Sequence, residues 1–168
     1  MQGIEVGIDE ILDCREKRVA IQNEMIKKYN KPVISFTMNI PGPIKTNNEI
    51  KAAFDIGKNL ILEKLKENNI EILEVQELNE NTGNELFISA NSSAEKIKDI
   101  TVTIEENSEL GRLFDIDVID VNFKKLSRKS FRKCLICERQ AQECGRSRKH
   151  SVEELQKKVE EILSKGAN

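Results

Sequence analysis

Apolar positions fall at helical spacing in the first stretch of the chain, turn strand-like, and then return to helical spacing. Between residues 7 and 29, Ile8, Ile11, Leu12, Val19 and Ile26 form an imperfect stripe among charged residues, which predicts an amphipathic helix. Pro32 blocks its continuation. Residues 33–40, VISFTMNI, are β-branched and apolar and predict a largely buried strand. Pro41-Gly42-Pro43-Ile44-Lys45 ends that strand in a stiff turn. Asn47 and Asn48 offer an N-cap for the next helix, whose face Ile50, Phe54, Gly57, Ile61 and Leu65 runs to about Glu67. Residues 70–78 and 85–90 predict two strands joined through Asn81-Thr82-Gly83-Asn84, a polar turn that suits a hairpin.

Beyond the hairpin, Ser93–Lys96 suits a short turn of helix. Residues 99–105, DITVTIE, alternate as a strand should, and a second strand is expected over 113–119. After Phe123 regular patterning stops until Ser151. There Ser151 and Glu154 form a capping-box signature, followed by the stripe Val152, Leu155, Val159, Ile162 and Leu163. The expected fold is α+β: a mostly antiparallel mixed sheet flanked by helices, in one domain. Its core spans 1–123, an irregular basic Cys/His arm spans 124–150, and a C-terminal helix spans 151–166.

The length of 168 residues fits one domain, and 38% apolar residues suffice for a core. Aromatic side chains are scarce, at six Phe, one Tyr and no Trp, which argues against a stacking platform for single-stranded nucleic acid. The formal charge of −2 hides an asymmetry. Residues 124–149 carry ten basic side chains against Glu138 and Glu143, so this segment is +8 and the rest of the chain is −10. Such a patch suits a polyphosphate or an acidic partner, or is simply a solvated surface. No apolar run approaches the roughly 20 residues that span a membrane. The N-terminus lacks the pattern of a secretory signal, so four reduced thiols and a cytoplasmic location are expected.

The strand at 113–119 carries Asp115 and Asp117 at i and i+2, which puts both carboxylates on one face. Carboxylates this close repel unless protonated, hydrogen-bonded or bridged by a cation. Mg²⁺ is a common bridge and brings phosphate oxygens with it. The arrangement suggests metal-assisted phosphoryl or nucleotidyl transfer, with Arg112 near enough to reach a phosphate. The other reading is the solvated face of an amphipathic strand. A second cluster, Cys134-x₂-Cys137-x₆-Cys144-x₅-His150, gathers the only histidine and three of the four cysteines. Cys₃His is an ordinary tetrahedral zinc set, and a staple would give an apolar-poor arm a reason to hold its shape. Packed thiols are the alternative, and Cys14, alone on the first helix, is expected to be one. In the Pro-Gly-Pro turn, Gly42 permits close backbone approach and Lys45 precedes a helix N-terminus, a weak phosphate-loop signal. Arg146 and Arg148, just before the last helix, make an anion site or a solvated loop.

Four motifs, SFTMNIPGPIK at 35–45, GRLFDIDVID at 111–120, RKCLICE at 132–138 and CGRSRKHS at 144–151, occur in the order found in one family. By these the chain resembles the apo-citrate lyase phosphoribosyl-dephospho-CoA transferases over nearly its whole length. The resemblance implies a reaction. A serine on the acyl carrier protein subunit of citrate lyase attacks 2′-(5-triphosphoribosyl)-3′-dephospho-CoA at the phosphorus nearest the ribose, and diphosphate leaves. It implies Mg²⁺ on Asp115 and Asp117, with Arg112 beside them. It also implies that Gly42, Lys45, Gly111, Arg128, Arg146 and Arg148 serve the substrate. The Asp-x-Asp strand also looks like that of the nucleotidyltransferase fold, although Gly111 is followed by Arg112 where that fold usually has Ser. No later strand offers a third carboxylate; Glu105 and Glu106 lie upstream. A competing expectation, from another class, is a zinc-stapled module that recognises nucleic acid or an acidic protein through the basic arm.

Overall fold

The computed structural model describes residues 1–166. Four strands form one antiparallel sheet: β1 (Val33–Met38), β2 (Glu71–Glu80), β3 (Gly83–Asn91) and β4 (Phe114–Ile119), in the order β2-β3-β1-β4. The hairpin β2–β3 turns through Asn81-Thr82 alone, with Glu80 paired to Gly83. The helices are α1 (Ile8–Tyr29), α2 (Asn48–Glu67), α3 (Ala94–Glu106), α4 (Ala141–Ser147) and α5 (Val152–Gly166), and a 3₁₀ turn spans Leu110–Leu113. The α+β class and the antiparallel sheet are as the sequence pattern indicates.

Strand alternation divides the sheet into two unlike faces. Ile34, Phe36, Leu86, Ile88, Ile116 and Val118 point to one side and are buried in the main core with Phe54, Ile61 and Leu65 of α2. There Phe36 stacks on Phe54 at 4.9 Å and meets Phe114 edge-on at 5.3 Å. Gly57 lets α2 sit this close: a Cβ would come within 2.5 Å of the Phe36 ring. Asn47 caps α2 by accepting the Ile50 N–H at 2.9 Å. The capping box of α5 forms as its spacing suggests: the Ser151 N–H donates to Glu154 at 2.7 Å, and the Glu154 N–H donates to the Ser151 hydroxyl at 3.1 Å.

The opposite face carries Ser35, Thr37, Glu85, Ser89, Asp115 and Asp117, with a small apolar cluster of Val33, Phe87 and Ile119 at one end. α1 lies across it. Met25 and Ile26 of α1 join the apolar cluster, with the partly buried Ile21 packed against it. Of the expected apolar stripe, Ile8, Leu12 and Val19 are exposed, and the helix instead turns Cys14, Arg18 and Gln22 toward the sheet. Gln22 donates to the Ser35 hydroxyl at 2.9 Å.

Two expectations are corrected here. Residues 99–105 are not a strand but the body of α3. The buried set Ile97, Lys98, Thr101, Ile104 and Glu105 has helical spacing, which the β-branched alternation masked because three of its members are polar. Ser93, expected to open a short turn, caps the whole helix by accepting the Lys96 N–H at 3.2 Å. The arm is also less irregular than expected: it contains α4, ended by Arg148 in the left-handed region at φ 51°.

Candidate active site

β4 is an edge strand, and its outer backbone groups need partners. At Ile116 both come from α3: Lys98 donates to the Ile116 carbonyl at 3.1 Å, and Glu105 accepts the Ile116 N–H at 3.1 Å. The residue between the two aspartates is therefore clamped on its open side. Glu105 is buried and also binds Arg128 at 2.7 Å and Arg132 at 3.4 Å. Burial pushes its carboxyl upward, while Arg132, the Ile116 N–H, Arg128 and Lys98 pull against that shift.

With β4 held this way, Asp115 lies opposite Thr37 and Asp117 opposite Ser35, both on the face that α1 crosses. Thr37 in turn pairs with Glu85, so a row Glu85–Thr37–Asp115 runs across three strands. Asp115 can be reached by solvent through the mouth of a concavity, yet protein surrounds it. That enclosure, and then the charge of Asp117, push its carboxyl above the ordinary range; Arg132, Lys125 and Arg18 work in the opposite sense. Asp117 has one cation close by, Lys125 at 3.4 Å.

Asp115 forms a wall of two pockets. One, of about 180 Å³, lies over the polar face between α1 and the turn after β1, and includes Arg15, Arg18, Thr37, Asn39 and Lys45. Lys45 donates to the Ile40 carbonyl at 2.7 Å. Burial, and then the nearby Arg15, pull its pKa below the ordinary amine value. Arg15 makes no ion pair among the described residues. Two cations facing each other across a small cavity form a place for an anion. The other pocket, of about 540 Å³, opens beyond the edge of β4 and is lined by Asp117, Lys125, Arg128, Arg132 and Gln140.

The remaining sequence candidates fall elsewhere. Arg112, in the 3₁₀ turn, donates to the Cys134 carbonyl at 2.5 Å and so fastens the arm. Gly111 is buried where a Cβ would strike the Glu105 and Ile104 carbonyls at 2.6 and 2.7 Å, which lets the turn press on the end of α3. Arg128 spans Glu105 and Glu106 at 2.7 Å each. Gly42, at φ +86°, lies against Gln156 of α5. Arg148 lines a third pocket of about 660 Å³ with Asn39, Pro41, Leu135 and Val152. Arg146 is exposed and makes no ion pair among the described residues.

Sequence reasoning missed Arg15, Arg18 and Glu85. Arg18 and Cys14 both bond to Glu85, Cys14 at 3.2 Å, and this fixes α1 over the polar face. The usable signal was a polar stripe, Cys14-Arg18-Gln22 at four-residue steps, running inside a helix whose apolar stripe was poor.

Cys134, Cys137, Cys144 and His150 do come together: their ligand atoms all lie within 4.8 Å of one another, and the set could hold one metal ion. His150 holds the Cys137 thiol down at about 6, and burial pushes Cys144 up to about 11. Cys14 is buried as expected, and burial raises its pKa.

Asp115 borders both cavities and Asp117 the larger one, each among basic side chains, an arrangement suited to an enzyme that transfers groups carried on phosphates. The family model described as apo-citrate lyase phosphoribosyl-dephospho-CoA transferase matches residues 6–166, so the chain belongs to that family. A probable apo-citrate lyase phosphoribosyl-dephospho-CoA transferase of Vibrio cholerae serotype O1 (strain M66-2) is 40% identical over 164 residues, covering 95% of this chain and 92% of that protein. Apo-citrate lyase phosphoribosyl-dephospho-CoA transferases of Citrobacter koseri and Escherichia coli O7:K1 are 34% and 33% identical, each over at least 94% of this chain and 88% of their own. No helix among the described residues is long and apolar enough to cross a membrane.

Proposed function

We propose that this protein transfers the 5-phosphoribosyl-dephospho-CoA group from 2′-(5-triphosphoribosyl)-3′-dephospho-CoA to a serine of the apo-acyl carrier protein subunit of citrate lyase, releasing diphosphate. Family membership supports the transferred group and its acceptor. The observation that carries the chemistry is the pair Asp115 and Asp117 on one strand face, both bordering the larger pocket, with Asp115 also bordering the cavity of Arg15, Arg18 and Lys45.

Two hard oxygen donors at i, i+2, neither hydrogen-bonded to a backbone N–H among the described residues, fit Mg²⁺. Held there, Mg²⁺ would neutralise the triphosphate and stabilise charge on the phosphorus under attack. Arg15, Arg18 and Lys45 bind the two leaving phosphates. The serine oxygen attacks the phosphorus next to the ribose from the larger pocket beyond β4, and the bond from that phosphorus to the bridging oxygen of the diphosphate breaks. Asp117 takes the serine proton. Glu85 is spent on Arg18 and Cys14 and does not act as the base. The nucleophile comes from the partner protein, and the positive arm suits an acidic carrier. The Cys₃His set is offered as a zinc centre of structural kind, outside the reaction. A reducing, cytoplasmic location belongs to the same proposal, since it would keep the cysteines available as metal ligands. A zinc-stapled module for nucleic acid or an acidic protein is not favoured, since it leaves the carboxylate pair without a task.

Incubating the full chain with apo-carrier, the triphosphate donor and Mg²⁺ tests the proposal by intact-mass measurement of the carrier. The mass should rise by one prosthetic group per carrier, with diphosphate released in equal amount. A carrier of unchanged mass under these conditions would overturn the assignment.

A further inference from the structure

Residues 124–150 pose a packing problem that the transfer reaction does not solve. Among the described residues of this arm only two side chains are buried, Cys134 and Cys144, at 4% and 6% exposure. Phe131 and Ile136 are exposed. The segment thus has almost no apolar core of its own, yet its backbone is well organised. The Cys134 N–H donates to the Arg139 carbonyl at 2.8 Å, and the Ala141 N–H donates to the Arg132 carbonyl at 2.8 Å, which closes a tight knuckle. The Lys149 N–H donates to the Cys144 carbonyl at 3.2 Å, bringing His150 back over α4.

At the centre of these turns the Sγ atoms of Cys137 and Cys144 lie 3.5 Å apart, and His150 Nε2 lies 3.4 Å from the Cys137 Sγ. A disulfide would bring the sulfurs to about 2.05 Å. A tetrahedral ion with bonds of about 2.3 Å to sulfur and about 2.0–2.1 Å to nitrogen separates neighbouring ligand atoms by roughly 3.5–3.8 Å. These two spacings lie near the second case, and the full set, within 4.8 Å, needs only a small contraction to close on an ion. The Ile136 N–H also points at the Cys134 sulfur at 3.5 Å, a contact that favours thiolate over thiol. Three thiolates and one imidazole leave no open position and select zinc over the hard cations.

We propose that Cys134, Cys137, Cys144 and His150 bind one zinc ion that serves as the core of the arm and locks it against the 3₁₀ turn and α5. The lock reaches the site through two contacts. The Cys134 carbonyl receives Arg112, and Arg132, two residues before Cys134, donates to the Gly111 and Arg112 carbonyls at 3.0 and 2.9 Å. Arg132 and Arg128 form one wall of the pocket beside Asp115. Zinc binding stands or falls independently of the transfer reaction, because its readout is the metal itself.

The experiment uses the untagged full chain, purified under reducing conditions with zinc in the growth medium. Metal analysis should give one zinc per chain. Replacement by Co²⁺ should produce the visible bands of a tetrahedral thiolate site. Cys144→Ser should lose the ion, while Cys14→Ser, outside the cluster, should keep it. If Cys144→Ser does not fold, the wild-type chain decides: chelation should accelerate tryptic cleavage within 124–150 by about tenfold or more, and zinc should restore resistance. Less than about a tenth of an equivalent of zinc with no cobalt uptake would overturn the proposal. So would a Cys137–Cys144 disulfide in the freshly isolated protein, or equal zinc in the two serine variants.

Discussion

Glu105→Ala is the change that bears hardest on how the site is held. The side chain is buried and accepts the Ile116 N–H at 3.1 Å, Arg128 at 2.7 Å and Arg132 at 3.4 Å. Removing it orphans a buried backbone N–H, at a cost of about 1–3 kcal/mol. It also strips Arg132 of its carboxylate and leaves Arg128 with only the exposed Glu106. Breaking a buried ion pair on one side costs about 3–5 kcal/mol, and the two terms overlap, so we expect a total near the upper part of that range. For a chain of this size each kcal/mol moves Tm by about 2–4 °C, so the midpoint should fall by about 8–20 °C. Glu106→Ala removes an exposed partner of the same Arg128 and should cost under about 1 kcal/mol. Urea melts of both variants, monitored by circular dichroism, make the comparison. Equal losses in the two, or a loss under about 1 kcal/mol for Glu105→Ala, would refute the idea that α3 clamps the strand between the aspartates.

Other outcomes follow from the same geometry. Asp115 has a folded-state pKa above its ordinary value, so the folded chain binds its proton more tightly than the unfolded chain does. Stability should therefore decline as pH rises from the ordinary Asp range through that raised pKa, and Asp115→Asn should remove the decline. Solvent screening at this reachable site keeps the gain at neutral pH to at most about 1 kcal/mol, read as a small rise in Tm. Lys45→Ala should weaken binding of inorganic diphosphate, measured by calorimetry, by about 10–100-fold, the worth of one charge-assisted hydrogen bond. An unchanged affinity would remove the turn after β1 from the anion site. Glu74, held down at about 2 by Gln76, Lys28 and Tyr29, contributes stability above its ordinary pKa that is lost as pH falls toward 2. Glu74→Gln should flatten acid unfolding in that window.

The sequence exposed the carboxylate pair because strand alternation is a strict geometric rule: once 114–119 is a strand, Asp115 and Asp117 share a face whatever surrounds them. The α2 stripe was legible for the same reason, as all five of its apolar positions are buried. α3 was misread because Lys98, Thr101 and Glu105 occupy the inward face of a helix. Lys98 and Glu105 satisfy the edge of β4 and Thr101 bonds back to the Lys98 carbonyl, and a polar residue with a buried hydrogen-bonding task looks in sequence like a solvated one. α1 hid its inward face in a similar way. Its apolar residues Ile8, Leu12 and Val19 face solvent, while Arg15 and Arg18, which line the cavity beside Asp115, read as ordinary helix charges. The partnership of Arg18 with Glu85, 67 positions away, depends on tertiary pairing that no local pattern encodes. The Cys₃His spacing was legible, but its convergence required α4, which a seven-residue helix in a charged segment does not announce.

The proposed transfer chemistry rests on two carboxylates on β4. The direct measurement compares wild type with Asp115→Asn and Asp117→Asn, each first shown to be folded, by following the intact mass of the apo-carrier over time with the triphosphate donor and Mg²⁺. The account expects the wild type to add the prosthetic group and each variant to do so at least about a hundredfold more slowly. A folded Asp115→Asn protein that modifies the carrier at the wild-type rate would contradict it.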